Sequence, residues 1–173
     1  MRNIFTVLVL VLGSFSFGQE VYQLDSISWT FQKPDGFEYK DSGQDGFSAG
    51  YELFAIERND DLYFGSMEAT YSGDNNLKSM TPEVYAYVLQ DGFEKAFNNE
   101  KFKAQVNVAK QYIDGRNFYL IRSFVTEIES EMIFYMDYYF SDIAEKEFGV
   151  TIYYNNDEDK NVLEQSFFNS KFR

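Results

Sequence analysis

Carboxylates and phenols are the side chains with which this sequence could do chemistry. It has 28 Asp and Glu, 14 Tyr, no His and no Cys. Two carboxyl groups flanking a glycosidic bond can run its hydrolysis. Glu68, Glu127, Glu129, Glu131 and Asp137 lie on expected strands or near their ends, and are candidates for such a pair. With so many acids, chance pairs are expected, and solvated strand edges explain the same residues. Tyr135, Tyr138, Tyr139, Tyr153 and Tyr154 crowd the later strands. Tyrosines with one wet face can stack on a sugar or hold a peptide; equally, they can fill a core short of Leu and Ile while each hydroxyl reaches the surface.

The missing residue types exclude more than the present ones allow. Without His and Cys there is no imidazole base, no thiol nucleophile and no usual transition-metal ligand set. A Ser-His-Asp triad is impossible. No Ser-x-x-Lys, Gly-x-x-x-x-Gly-Lys or Gly-x-Gly-x-x-Gly occurs. Calcium needs only oxygen ligands, and Asp157, Asp159 and Asn161 fall at the first, third and fifth positions of a loop. Val162 then stands where an EF-hand needs Gly, and Phe168 where it needs Glu. A helix start explains Asp157–Asn161 better. Asn59-Asp60-Asp61 and Asp74-Asn75-Asn76 read as turns. No residue is thereby assigned a catalytic, cofactor-binding or metal-binding role, and no cofactor is expected.

The elements that would carry these groups follow from periodicity. Ser28–Gln32 alternates, with Ile27, Trp29 and Phe31 on one face, and so predicts a strand with Trp29 in the core, against the sheet or the helix carrying Phe93. Pro34-Asp35-Gly36 predicts a turn, and 40–47 a loop. Gly50–Glu57 and Leu62–Tyr71 predict a hairpin, with Tyr63, Met67, Ala69 and Tyr71 on one face. Thr81, Pro82 and Glu83 start a helix whose stripe is Tyr85, Leu89, Phe93 and Phe97, flanked by Ala86 and Ala96. Gly92 inside it implies close packing there. Asn98-Asn99 ends it. Four strands follow, around Ala104–Val108, Phe118–Val125, Met132–Phe140 and Phe148–Tyr154, with Asp114-Gly115 as a tight hairpin turn. The central ones are apolar on both faces. A last helix begins within Asn155–Asp159 and turns Val162, Leu163, Ser166 and Phe167 inward, and Ser170–Arg173 pairs with the sheet edge or packs beneath it. Single helices between runs of strands predict α+β: a largely antiparallel sheet of six to seven strands covered by two helices, one on each face, although a helix and a long loop would also serve as cover.

Compartment comes from the first residues. Met1-Arg2-Asn3, the apolar run Ile4–Leu12 and the small residues up to Gly18 have the layout of a secretory signal peptide cut before Gln19. The run is about half of the ~20 apolar residues a membrane span needs. Residues 1–18 are thus expected to be a signal peptide and 19–173 a single domain, secreted or periplasmic and without stable membrane insertion. The net charge of −13 repels phosphate backbones, so no nucleic acid is expected as a partner. Aromatics make up 20% of the residues, unlike a disordered acidic chain.

The short strand Trp29-Thr30-Phe31, the following Pro34-Asp35-Gly36-Phe37, the mid-sequence helix, the antiparallel run and the ending Phe167-Phe168-Asn169-Ser170-Lys171-Phe172 together resemble small exported domains of the PsbP-like superfamily, over residues 26–173. The resemblance implies an α/β/α sandwich and a binding or accessory role rather than an enzyme's; it carries over no functional residue. The function expected is a non-enzymatic extracytoplasmic binding or accessory module for an unknown protein or glycan. The alternative is a carboxylate-based hydrolase of extracellular carbohydrate.

Overall fold

The computed structural model describes residues 19–40, 51–60, 62–72 and 79–173. The expected signal peptide, the turn at Asp74–Asn76 and most of the 40–47 loop lie outside the described residues. A seven-stranded sheet has the spatial order β3 (Glu38–Tyr39), β4 (Tyr51–Asn59), β5 (Phe64–Ser72), β9 (Lys146–Tyr154), β8 (Ile133–Ile143), β7 (Arg116–Glu127), β6 (Phe102–Ile113), antiparallel throughout. A second sheet holds β1 (Gln19–Leu24), β2 (Ile27–Gln32) and β10 (Lys171–Phe172), with β2 in the middle. Two helices, α1 (Pro82–Phe97) and α2 (Asp157–Phe168), complete the described residues. The fold is the expected α+β sandwich, with one helix on each face of the large sheet.

Local chemistry accounts for the boundaries. Thr81 Oγ1 accepts from Val84 N at 3.3 Å and Asn98 caps the other end of α1. Asn156 Oδ1 accepts from Asp159 N at 2.9 Å to start α2. Asp114 and Gly115 both have positive φ, 43° and 82°, and join Ile113 directly opposite Arg116, as a two-residue hairpin loop requires. Gly36, at φ 82°, closes the turn in which Phe37 N donates to Pro34 O at 3.4 Å.

The large core lies on the α2 side. Trp29 and Phe31 of β2 come down on Phe54, Met67, Phe148 and Phe118, and Leu163 and Phe167 close the layer. Trp29 is 0% exposed, stacks on Phe54 at 5.7 Å, meets Phe148 edge-on at 4.8 Å, and donates from Nε1 to Ser170 Oγ at 2.8 Å. Of the two supports expected for Trp29, it is thus the sheet that it meets. On the opposite face Tyr85 and Ala86 of α1 pack on Val106, Ile121 and Phe140.

Two expectations need correction. Gly92 is exposed, and a Cβ there would meet nothing within 4 Å, so no close packing accounts for it. Ala96 is exposed as well, because α1 rests on the sheet along a narrower stripe than its sequence offers. Of the two places expected for Ser170–Arg173, it takes the one beneath the large sheet: Lys171 and Phe172 pair with Thr30 and Trp29 of β2, and the Phe172 ring meets Phe118 and Phe148 at 5.9 and 5.5 Å. Close approach does govern Gly65, where a Cβ would come 2.6 Å from Asp159 Cβ; the start of α2 lies directly on β5.

Candidate functional site

The five carboxylates singled out by sequence do not converge. Glu129 and Glu131 stand exposed in the β7–β8 turn; Glu127, beside them, accepts from Ser130 Oγ. Glu68 lies on the α1-side face of β5, where its field adds to burial in pushing the Tyr153 phenol up to about 12. Asp137 is the surprise. It is not a solvated edge residue but 0% exposed, on the α2 side of β8. Arg122 grips it with Nε at 2.8 Å and Nη2 at 2.5 Å, and Tyr154 Oη donates to it at 3.2 Å. The same Nη2 reaches Glu164 Oε1 at 3.1 Å, which also accepts from Tyr139 Oη at 2.9 Å. Both carboxylates touch one nitrogen, which leaves their nearest oxygens no more than about 6 Å apart, close enough to suggest a hydrolytic pair. Yet the guanidinium fills the space that a glycosidic oxygen and a water would need. The set is an ion-pair network that fastens α2 to the sheet.

The Asp157–Asp159–Asn161 pattern forms the first turn of α2 rather than a ligand loop. Asp159 is buried, with its Oδ1 against Arg58 Nη2 and its Oδ2 accepting from Asn156 Nδ2 at 2.7 Å. The turn expected around Asp60 is present: its Oδ1 accepts from Leu62 N and Tyr63 N at 3.2 and 2.8 Å.

The tyrosines share one habit. Tyr138 donates to Glu147, Tyr139 to Glu164, Tyr154 to Asp137 and Tyr71 to Asp25. These four phenols therefore end on carboxylates rather than simply emerging into water. Burial first, and the neighbouring carboxylate second, pushes the hydroxyls of Tyr71, Tyr138 and Tyr139 above their ordinary value.

The same pairing, opened to solvent, makes a groove. Alternation along β1 turns Glu20, Tyr22 and Leu24 inward. Tyr22 and Tyr39, the latter from β3, each donate to a different oxygen of the Glu20 carboxylate. Tyr22 lies on Phe54 at 5.3 Å, and Lys33 Nζ stands 5.8 Å over the Tyr39 ring. Lys40 pairs with Glu57 at 3.0 Å. A concavity of about 380 Å³ is lined by Glu20, Tyr22 and Tyr39 together with Lys40, Glu52 and the Leu53–Ala55 stretch of β4. It lies where the small sheet's β1 edge meets the large sheet's β3–β4 edge. A β-bulge between Glu52 and Phe54 locally bends β4 beneath it. Sequence reasoning missed this set. The only signal was the two-residue spacing of Glu20 and Tyr22, which means nothing until β1 is known to be a strand.

Chemically, the groove offers flat phenol rings, carboxylate acceptors and an ammonium around a shallow hollow. Such a lining suits recognition of a polar ligand. No helix among the described residues is long and apolar enough to cross a membrane.

No protein-family profile matches the chain, and no curated protein matches its sequence. Solved structures do. The solution structure of cyanobacterial PsbP (CyanoP) from Synechocystis sp. PCC 6803 matches at TM-score 0.54 and 13% identity, over 90% of each chain. The crystal structure of LpqN, described as involved in cell envelope biogenesis of Mycobacterium tuberculosis, matches at TM-score 0.50 and 10% identity, again over 90% of each chain. At such identities the likeness is one of fold, and the fold is PsbP-like, as the sequence resemblance implied.

Proposed function

We propose that this protein is an exported, non-catalytic accessory module that binds an envelope component, glycan or protein, in the groove between β1 and β4. The observation that carries the reading is the pair of hydrogen bonds that Tyr22 and Tyr39 donate to Glu20. It fixes two aromatic faces at the mouth of a hollow before any ligand arrives, and preorganisation of that kind lowers the ordering cost of binding. The groove favours a hydroxyl-rich ligand. Carboxylate oxygens of Glu20 and Glu52 can accept from sugar hydroxyls, Lys40 can donate, and the phenol rings can cover the apolar face of a sugar. Export rests on the layout of residues 1–18, and the envelope role described for LpqN is consistent with it.

The test has two arms. Mass spectrometry of protein recovered from the producing cell should find an amino terminus at Gln19, and an intact Met1 refutes export by cleavage. Titration of the mature protein with soluble cell-wall glycan fragments should shift amide resonances of β1, β3 and β4. Tyr39→Ala should weaken that binding roughly tenfold, within the range reported for aromatic contacts, while leaving the fold intact because Tyr39 is exposed. Shifts confined to other elements, or unchanged affinity in Tyr39→Ala, would exclude the groove.

A further inference from the structure

The far edge of the large sheet, β6, is treated in two different ways along its length. Alternate residues of a strand point their backbone groups to the same side, and the even-numbered residues of β6 point theirs away from β7. Over the first half these groups are occupied by α1 and its end. Asn99 Oδ1 accepts from Phe102 N at 3.1 Å, and Asn99 N donates to Phe102 O at 3.1 Å. Asn98 holds Ala104 at both its N–H (3.0 Å) and its carbonyl (3.3 Å), and Gln90 Nε2 donates to Val106 O at 2.9 Å. Asn98 and Asn99 thus imitate a neighbouring strand, a recognised way of closing a sheet edge. Val108, Lys110 and Tyr112 continue the row, and among the described residues nothing occupies their outward N–H and carbonyl groups. Tyr112 is 68% exposed and Tyr87 of α1 is 58% exposed.

We propose that Val108–Tyr112 is a docking edge that takes an acidic, extended segment of another protein as an additional strand. An open ladder of alternating donors and acceptors is what strand addition requires. The acidic preference follows from charge. β6 carries Lys103 and Lys110 and no acid, alone among the long described strands that bear a cation, in a chain of net charge −13. Glu83 sits 3.0 Å from Lys110 Nζ, but both side chains are more than half exposed, so a surface pair of little energy holds Lys110 and an incoming carboxylate can take it over. A second copy of this chain fits worse. The one two-fold register that uses all three open residues sets Lys110 opposite its own copy, and like charges directly opposed on a sheet are destabilising. The edge lies at the other end of the sheet from the groove, so neither reading depends on the other.

The test uses the mature protein and a short acetylated, amidated peptide of alternating Val and Glu. Binding should shift the amides of Val108, Lys110 and Tyr112, and a peptide of alternating Val and Lys should bind weakly or not at all. Lys110→Glu should cost roughly tenfold in affinity for the Val–Glu peptide. Val108→Pro removes an N–H that the fold does not use, a change that edge strands tolerate, and should abolish binding. N-methylating the peptide on the residues that face the edge should abolish it too, without altering the protein, whereas methylating the intervening residues should not. Tyr39→Ala should leave all of this unchanged. Equal binding of the Val–Lys peptide, insensitivity to N-methylation, or shifts away from β6 would overturn the proposal. So would concentration-dependent dimerisation that protects the same amides, which would assign the edge to a second copy.

Discussion

The two faces of the large sheet are packed by different means. On the α2 side, the aromatic side chains of two sheets interlock around Trp29, while Arg122, seated on the buried Asp137, pins α2 through Glu164, and Arg58 pins it through the buried Asp159. On the other, α1 buries only Tyr85 and Ala86, and shows Val84, Tyr87 and Val88 to solvent. The first layer is a core in which shape is specified on every side. The second is a cover resting on an already complete sheet. Stability should therefore be concentrated in the first, and the second should open at lower cost.

The largest expected effect strikes both layers at once. Phenols on each face are pushed above their ordinary value, Tyr139 and Tyr154 beside α2 and Tyr138 and Tyr153 on the other side. A phenol whose folded value is raised favours the fold fully below its unfolded value of ~10, and that contribution is lost as pH rises further. Stability to urea should accordingly hold to about pH 10 and fall steeply above it, with phenolate absorbance rising together with unfolding. Phenolate appearing gradually in a still-folded protein would show the buried acid–phenol pairs to be unimportant.

Trp29→Ala separates the two layers. It should cost roughly 3–5 kcal/mol, the range for emptying a large aromatic site, measured by urea denaturation, while the amides of α1 keep their exchange rates relative to the rest of the fold. Gly65→Ala should cost about 1–3 kcal/mol, because its Cβ meets Asp159 at the start of α2. Gly92→Ala, in open space on α1, should do the reverse and add up to about 1 kcal/mol of helix stability. A loss at Gly92 comparable with that at Gly65 would mean that the two helices are held alike, and would end the distinction.

That distinction was partly legible in the sequence. Thr81-Pro82 and Asp114-Gly115 are local signals, and they placed α1 and the β6–β7 turn correctly because capping and turn chemistry act within a few residues. The doubly apolar β7 and β8 likewise announced cover on both faces. Gly92 misled because a glycine in a helix can mark close packing or mere tolerance, and only the tertiary neighbours decide. β1 was missed: Val21 faces out at 65% exposure while Glu20 faces in, so hydrophobicity runs against burial there. Asp137 and Asp159 look like any of 28 acids until the register brings Arg122 directly opposite Asp137 and the chain returns Arg58 to Asp159. The groove was invisible for the same reason, since Glu20, Tyr39 and Glu52 meet only across strands.

The small sheet has a consequence for when this protein can fold. Its middle strand, β2, has residues close behind the expected cleavage point on one side and the last residues of the chain on the other. Ser28 exchanges backbone hydrogen bonds with Arg173, at 2.6 and 2.8 Å, across 145 positions. Asp114 adds a latch from the middle of the sequence, accepting from Phe172 N at 2.7 Å. Contacts that distant form late and slowly. A chain threaded amino end first through a narrow channel, as the proposed export route demands, would have Trp29 across early but nothing to seal it in until Phe172 had followed. On such a route β2 would lack one of its two partner strands until Lys171 and Phe172 had crossed as well.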